Sequence, residues 1–321
     1  MSALLGRASS AESASEIFER WKLGVITDQV GFDLRRVLSS FYLKYPLHWA
    51  EIRYLRLRGE TRYVYFDATP QELKQVRSEL DSAGVRLSVL DSAIYKNALP
   101  GTNPMGERPA YVDPAHETLS RQLEDLKLAA DAAHALGTNR VRIFTFRRVA
   151  DPHAIYERVL EQVQKAVTVA KQHDIVLLVE NEYDTNTATG AEIARLFKAI
   201  PDRRLMHNWD PCNSYESGEQ PFPAVWNQID HSRISHIHLK DAEGKEWKPI
   251  GSGKIDFAGQ FRALKNIGYT GTMSLETRYR DAEQDAYRSS VESMDGLVRF
   301  LESGARTLRR SEIQLLLSRV R

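Results

Sequence analysis

The chain has 321 residues, 42% of them hydrophobic and 27% charged, and its 44 lysines and arginines nearly cancel its 43 aspartates and glutamates to leave a formal net charge of +1. A chain of this length can bury a large core, and so even a balance of charge provides no field to gather nucleic acid or an anionic membrane surface. The single cysteine, Cys212, excludes an internal disulfide framework and fits a reducing compartment, with the cytoplasm as the expected location.

Residues 1–20 are rich in serine and acids and lack the apolar stretch of a secretory leader, so they are expected to be an N-terminal extension. No later stretch approaches the roughly 18 apolar residues of a membrane span. From residue 21 onward, short β-branched runs alternate with longer segments of helical spacing. The runs fall at 23–27, 50–55, 86–90, 140–144, 175–180, 205–210, 235–240 and 272–276.

The punctuation between the runs fits helices. Thr69, Pro70 and Glu72 form an N-cap, a first-turn proline and a capping-box acid, Thr189 and Glu192 repeat the box, and Asp151 with Pro152 predicts another helix start. Gly84, Gly137 and Gly268 each close a helical pattern just before a strand. Eight strands each followed by a helix predict an α/β fold, a (β/α)8 TIM barrel spanning 21–303. After it, 304–321 carries an apolar stripe at Ile313, Leu316, Leu317 and Val320, which predicts an additional C-terminal amphipathic helix. The segment 92–114, with Pro100, Gly101, Pro104, Gly106 and Pro109, is too long for a simple connector and is expected to be a lid or substrate loop.

In such a barrel the strands deliver chemistry at their C-terminal ends. Four apolar runs stop there on metal-competent residues: Glu180, Asp210, His238 and Glu276, at successive spacings of 30, 28 and 38 residues, one βα unit each. Three carboxylates and an imidazole gathered in a buried space call for a neutralising cation. An oxygen-rich set with one nitrogen suits one divalent ion, with Mn²⁺ the first expectation and Co²⁺, Mg²⁺, Fe²⁺ or Zn²⁺ as alternatives. Lys240, Arg278, Asn213, Trp209 and Tyr95 lie near strand ends or in the loops after them, where they are candidates to bind substrate. His236, on the same face of its strand as His238 but deeper, is a further candidate.

The segments VENE, NWDPCN, HIHLKD, IGSGKIDF and SLE follow one another as they do in sugar phosphate isomerases and epimerases, and from about Leu23 to Glu302 the chain resembles a member of the xylose isomerase-like barrel superfamily. The resemblance implies that Glu180, Asp210, His238 and Glu276 hold the metal and that Glu180 and Glu276 also serve as acid and base. It implies an isomerase or epimerase of a keto sugar or polyol, working by proton abstraction through an enediolate on a small-molecule substrate. A lyase is the alternative: an inosose-type dehydratase, or an enzyme that eliminates the aglycone of 3-oxo-glycosides, including C-glycoside cleavage. An endonuclease IV-like nuclease is a minor third reading, opposed by the near-zero net charge and the lack of histidines on the early strands. Three positions depart from the ketose epimerase pattern, Asn213, Asn186 and Gly244 standing where a histidine, an acid and an arginine are usual. Homo-oligomers are frequent among such enzymes, and the 92–114 loop and the C-terminal helix are the expected contact surfaces.

Overall fold

The computed structural model describes residues 21–106 and 114–301. Eight parallel strands close into a barrel: β1 (Leu23–Ile26), β2 (Trp49–Ile52), β5 (Arg86–Asp91), β6 (Arg140–Ile143), β7 (Val176–Glu180), β8 (Leu205–Trp209), β9 (Ile234–Leu239) and β12 (Thr272–Leu275), each paired with the next and β12 with β1. Each expected run holds one of these strands. The exception in extent is 50–55, where β2 stops at Ile52 and the chain turns into an antiparallel hairpin, β3 (Tyr54–Leu57) with β4 (Glu60–Tyr63). The cause is legible in the alternation: Leu55 and Leu57 are buried while Arg56 between them is exposed, the pattern of a half-buried ribbon. A second hairpin, β10 (Asp241–Glu243) with β11 (Glu246–Lys248), follows β9.

Helices surround the barrel: α1 (Leu34–Lys44), α2 (Val64–Asp67), α3 (Pro70–Ser82), α4 (Leu119–Ala135), α5 (Tyr156–Gln172), α6 (Gly190–Ala199), α7 (Pro211–Glu216), α8 (Phe257–Asn266) and α9, which runs from 286 to the last described residue, 301. Both expected capping boxes form, at Thr69 with Glu72 and at Thr189 with Glu192. The expected start at Asp151 does not: its carboxylate accepts the His153 N–H at 3.0 Å, which closes a turn, and α5 begins at Tyr156.

The core lies between the strands and the inward helix faces, where α5 contributes Val159, Val163, Ala166 and Val167 and α4 contributes Ala129, Ala130 and Ala133. Two glycines are dictated locally. A Cβ on Gly24 of β1 would lie 2.4 Å from the Trp49 carbonyl oxygen on β2, and Gly84 ends its helix at φ +66°. The first half of the 92–114 loop is tied down: Met105 N–H donates to Arg148 O at 2.7 Å, and the Arg147 guanidinium donates to the carbonyls of Met105 and Gly106. The expected N-terminal extension at 1–20, the helix at 304–321 and the remainder of the loop at 107–113 lie outside the described residues.

Candidate metal centre

Four side chains meet at the C-terminal mouth of the barrel. Glu180 is the last residue of β7, Asp210 follows β8, His238 lies near the end of β9 and Glu276 follows β12. All four are buried, and one ligand atom from each lies within 4.8 Å of the others. Asp210 divides its carboxylate. Oδ1 caps α7 by accepting the Asn213 N–H at 2.9 Å, which leaves Oδ2 for the cluster.

His238 is turned so that its two nitrogens have different tasks. Nδ1 faces Glu180 Oε1 at 3.2 Å, Glu276 Oε2 at 3.6 Å and Asp210 Oδ2 at 3.9 Å, whereas Nε2 lies 2.9 Å from Glu51 Oε1. The other oxygen of Glu51 meets His236 Nε2 at 2.8 Å, and His236 Nδ1 lies 2.6 Å from the Thr272 hydroxyl. An ionised Glu51 accepts from both rings, which fixes a proton on each Nε2 and leaves Nδ1 as the His238 nitrogen that faces the three carboxylates. Glu51, His236 and His238 also come close enough to suggest a second ion, but their facing atoms are already joined as hydrogen-bonded pairs, so this group works as a clamp on two imidazoles.

Cations brace the anions from outside. The Lys240 ammonium sits 2.9 Å from Asp210 Oδ2 and 3.0 Å from Glu276 Oε2. Arg142 of β6 reaches Glu180 Oε2 at 3.0 Å and Asp91 Oδ2 at 3.2 Å, and Arg53 bridges Asp28 at 2.8 Å and Glu276 at 3.5 Å. Burial pushes Glu180 up, but His238 and Arg142 outweigh it and hold the carboxyl at about 2. Glu276 is likewise held well below the ordinary carboxylate range, with Lys240, Arg278 and His238 overriding burial. Asp210 is pushed up to about 6 because burial prevails over Lys240. Burial alone would lower His238, but Glu51 and Glu180 raise it well above the ordinary imidazole value.

The donor set fits a divalent cation. Three carboxylates and one correctly turned imidazole nitrogen converge, and the Lys240 ammonium supplies positive charge at the cluster in its absence. Binding such an ion must displace the proton that His238 Nδ1 otherwise carries.

Beside the cluster opens a cavity of about 130 Å³, which Glu276 of the cluster and Arg142, the partner of Glu180, both line. Tyr54, Tyr63, Phe144 and Tyr183 provide its aromatic wall, and Arg53, Lys96, Arg278, Glu182 and Asp184 its charge.

The residues expected to bind substrate are distributed unevenly. Arg278 lines the cavity, Lys240 is buried against the cluster, and Asn213 lies below, its amide donating to Glu180 Oε1 at 3.0 Å. The expectation is corrected for Trp209, whose buried indole donates to Gln260 Oε1 at 2.9 Å within the core. It is corrected for Tyr95, which is stacked on Phe146 with its hydroxyl donating to Gln162 O at 3.1 Å. It is corrected for His236, which Glu51 and Thr272 hold beneath His238. All three are buried on protein partners, and none lines the cavity.

The epimerase departures also acquire structural explanations. Asn186 donates to the carbonyls of Thr145, Phe146 and Arg147, and Gly244 turns the β10–β11 hairpin at φ +62°. The GSG loop offers no anion cradle, because the N–H groups of Gly251, Gly253 and Ile255 all donate to the Asp241 carboxylate.

Sequence reasoning gave Glu51, Arg142 and Glu182 no place in the site. An acid in WAEI and a base in RVRI, each inside an otherwise apolar strand, were the available signals for the first two. Glu182 stands two residues past Glu180, the same offset that singles out Lys240 and Arg278 past their ligands, and it pairs with Lys96 at 2.9 Å in the cavity wall.

Comparison with known proteins places this geometry among relatives. An inosose dehydratase of Klebsiella pneumoniae is 27% identical over 151 residues, 40% of this chain and 48% of that protein, so the chain spans about half the length of the curated relatives it matches. Solved structures of similar fold include the IolI protein with a bound zinc atom (TM-score 0.67, 14% identity, 88% of this chain and 98% of that one). Another is the 3-keto-D-glucoside 4-epimerase YcjR of E. coli (TM-score 0.60, 16% identity, 87% and 99%). The xylose isomerase-like TIM barrel model matches residues 50–297, and the chain belongs to that family.

Proposed function

We propose that the chain is a metal-dependent enzyme that removes water from a keto polyol, a dehydratase with Glu276 as the base and Lys240 as the acid. The observation that carries this reading is the 3.0 Å contact between Lys240 Nζ and Glu276 Oε2 beside the cluster. Glu180 has no comparable freedom. One oxygen is held by Arg142 and the other accepts from Asn213 and faces His238, a set of fixed contacts that suits a ligand better than a proton carrier.

A divalent ion held by Glu180, Asp210, His238 and Glu276 supplies the charge that polarises a carbonyl and acidifies the neighbouring C–H. Glu276 takes that proton. The electron pair forms the new C=C as the C–O bond to the β-hydroxyl breaks, and Lys240 gives the departing oxygen its proton, so water leaves. The proton on Glu276 then returns to the Lys240 amine across their hydrogen bond, and both groups are restored. Arg142 and Arg53 keep the carboxylates in place, and the tyrosines of the wall face the ring of a sugar or cyclitol.

The inosose dehydratase named among the relatives supports the same reaction class. The second reading is epimerisation, which the YcjR neighbour favours and which requires Glu180 to join Glu276 as a proton carrier on the opposite face. Metal identity is left to reconstitution, with Mn²⁺ first and Zn²⁺, as named for the IolI structure, beside it.

The test is NMR of the reconstituted chain with a keto-inositol in D₂O. Appearance of the unsaturated dehydration product, lost in Lys240→Met with metal content unchanged, is the expected outcome. Solvent deuterium incorporated at the carbon next to the carbonyl with inversion there, and no loss of water, would overturn the dehydratase reading in favour of the epimerase.

A further inference from the structure

The charged groups around the cavity are committed, with one exception. Arg53 is held by Asp28 and Glu276, Arg142 by Asp91 and Glu180, Lys96 by Glu182 and Asp184, and Lys240 by Asp210 and Glu276. Arg278 lines the same cavity, is exposed to it, and forms no ion pair or hydrogen bond among the described residues. Among the described residues its cation–π neighbour is the Trp247 ring, whose centroid lies 5.9 Å from the guanidinium carbon, a plate that orients the group and leaves its donors available.

Its position follows from the chain. Arg278 stands two residues beyond Glu276, so the segment that delivers the base also delivers this cation to the cavity wall. Of the four cations in the lining, Arg53, Lys96 and Arg142 each have a carboxylate oxygen within 2.7 to 3.2 Å, and Arg278, whose field reaches Glu276 without a contact between them, is the one whose donors are open to a ligand. Held in a concave wall, a guanidinium with no hydrogen-bonded partner is a planar two-pronged donor suited to carboxylate or phosphate.

We infer that the substrate carries an oxyanion, a carboxylate or a phosphate ester on its polyol frame, and that Arg278 binds it. The inference rests on the metal-dependent sugar site proposed above and narrows its substrate class from neutral keto polyols to acidic ones.

Calorimetric titration of the full chain reconstituted with Mn²⁺ tests this with two matched pairs: quinate against myo-inositol, and fructose 6-phosphate against fructose. The expected result is that the anionic member of at least one pair binds about 10-fold tighter or more. That preference should vanish in Arg278→Met while bound Mn²⁺ stays unchanged, and Arg278→Lys should keep part of it. A preference confined to the quinate pair assigns a carboxylate, and one confined to the phosphate pair assigns a phosphate ester. Metal-dependent binding with equal affinity within both pairs, or a preference that survives in Arg278→Met, overturns the inference and leaves the sugar site standing. No metal-dependent binding by any of the four overturns both.

Discussion

The two halves of the barrel bury charge to different ends. β7, β8, β9 and β12 bring Glu180, Asp210, His238 and Glu276 to one point, an excess of anion with lone pairs facing inward. β2, β5 and β6 bury Glu51, Asp91 and Arg142, and there the charges are spent on neighbours: Glu51 on two imidazoles, Arg142 on Asp91 and Glu180. A register shift in the β2–β5 pairing between Ala50 and Glu51 accompanies this placement, as bulges beside functional sites often do by re-aiming a side chain. The difference teaches that one half furnishes the candidate ligands and the other holds them in orientation, so damage to the second half should register as stability or metal affinity before it registers as chemistry.

The largest expected effect comes from removing the ion pairs that join the halves. Arg142→Met leaves Asp91 and Glu180 buried without their cation, and breaking such a buried pair costs about 3 to 5 kcal/mol. Chemical denaturation should report a loss of this size in the metal-free chain, and Mn²⁺ should restore part of it by neutralising Glu180. A loss under 1 kcal/mol would mean that the two halves are not electrostatically joined.

A second break lies on the ligand side but outside the cluster. His207 of β8 is fully buried between Phe197 and Trp209, has one partner at 3.2 Å in Asn181, and is lowered by burial to about 3. The unfolded chain binds a proton on this ring near pH 6.5 and the folded chain only near pH 3, so the stabilisation is intact above about 6.5 and drains away as pH falls toward 3. At roughly 1.4 kcal/mol per unit the full span is on the order of 5 kcal/mol. His207→Gln should flatten the stability profile between pH 6.5 and 4, and an unchanged slope would assign the acid sensitivity to other groups.

These two residues also show what the sequence made legible and what it did not. The barrel and the four converging side chains could be read because they obey local rules, an apolar strand ending on an acid or histidine once per βα unit. Trp209 and Tyr95 sit at similar places beside strand ends, yet their rings turn into the helix layer toward Gln260 and Gln162, contacts 51 and 67 residues away that no local pattern reveals. Arg142 and Glu51 had the opposite problem: a charge inside a strand reads as a solvated face until closure of the barrel turns that face inward. The β3–β4 hairpin was merged with its strand because a two-residue period continues through both.

The clamp itself offers a finer test. Glu51→Gln keeps the size of the side chain but no longer accepts from both imidazoles with a full charge, so the preference for the Nδ1 lone pair at His238 weakens. Removing such a partner behind a metal-binding histidine typically costs 10- to 100-fold in affinity, about 1.4 to 2.7 kcal/mol. Competition titration against a chelator should show that loss for Mn²⁺ with one ion still bound per chain at saturation. Affinity equal to that of the parent chain would demote Glu51 to a packing role.

The smallest effect separates core from cavity within the same strand-end belt. Tyr95→Phe deletes only the hydroxyl that donates to Gln162 O, leaving the ring stacked on Phe146 at 4.4 Å. A single neutral hydrogen bond of this kind is worth about 1 kcal/mol, and the orphaned acceptor is a helix carbonyl that retains its place in α5. Denaturation should therefore register a loss near that size while kcat and KM stay within error of the parent, because the ring touches no atom of the cavity. A rise in KM with unchanged stability would reverse the assignment, placing Tyr95 against substrate and the core contact in second place.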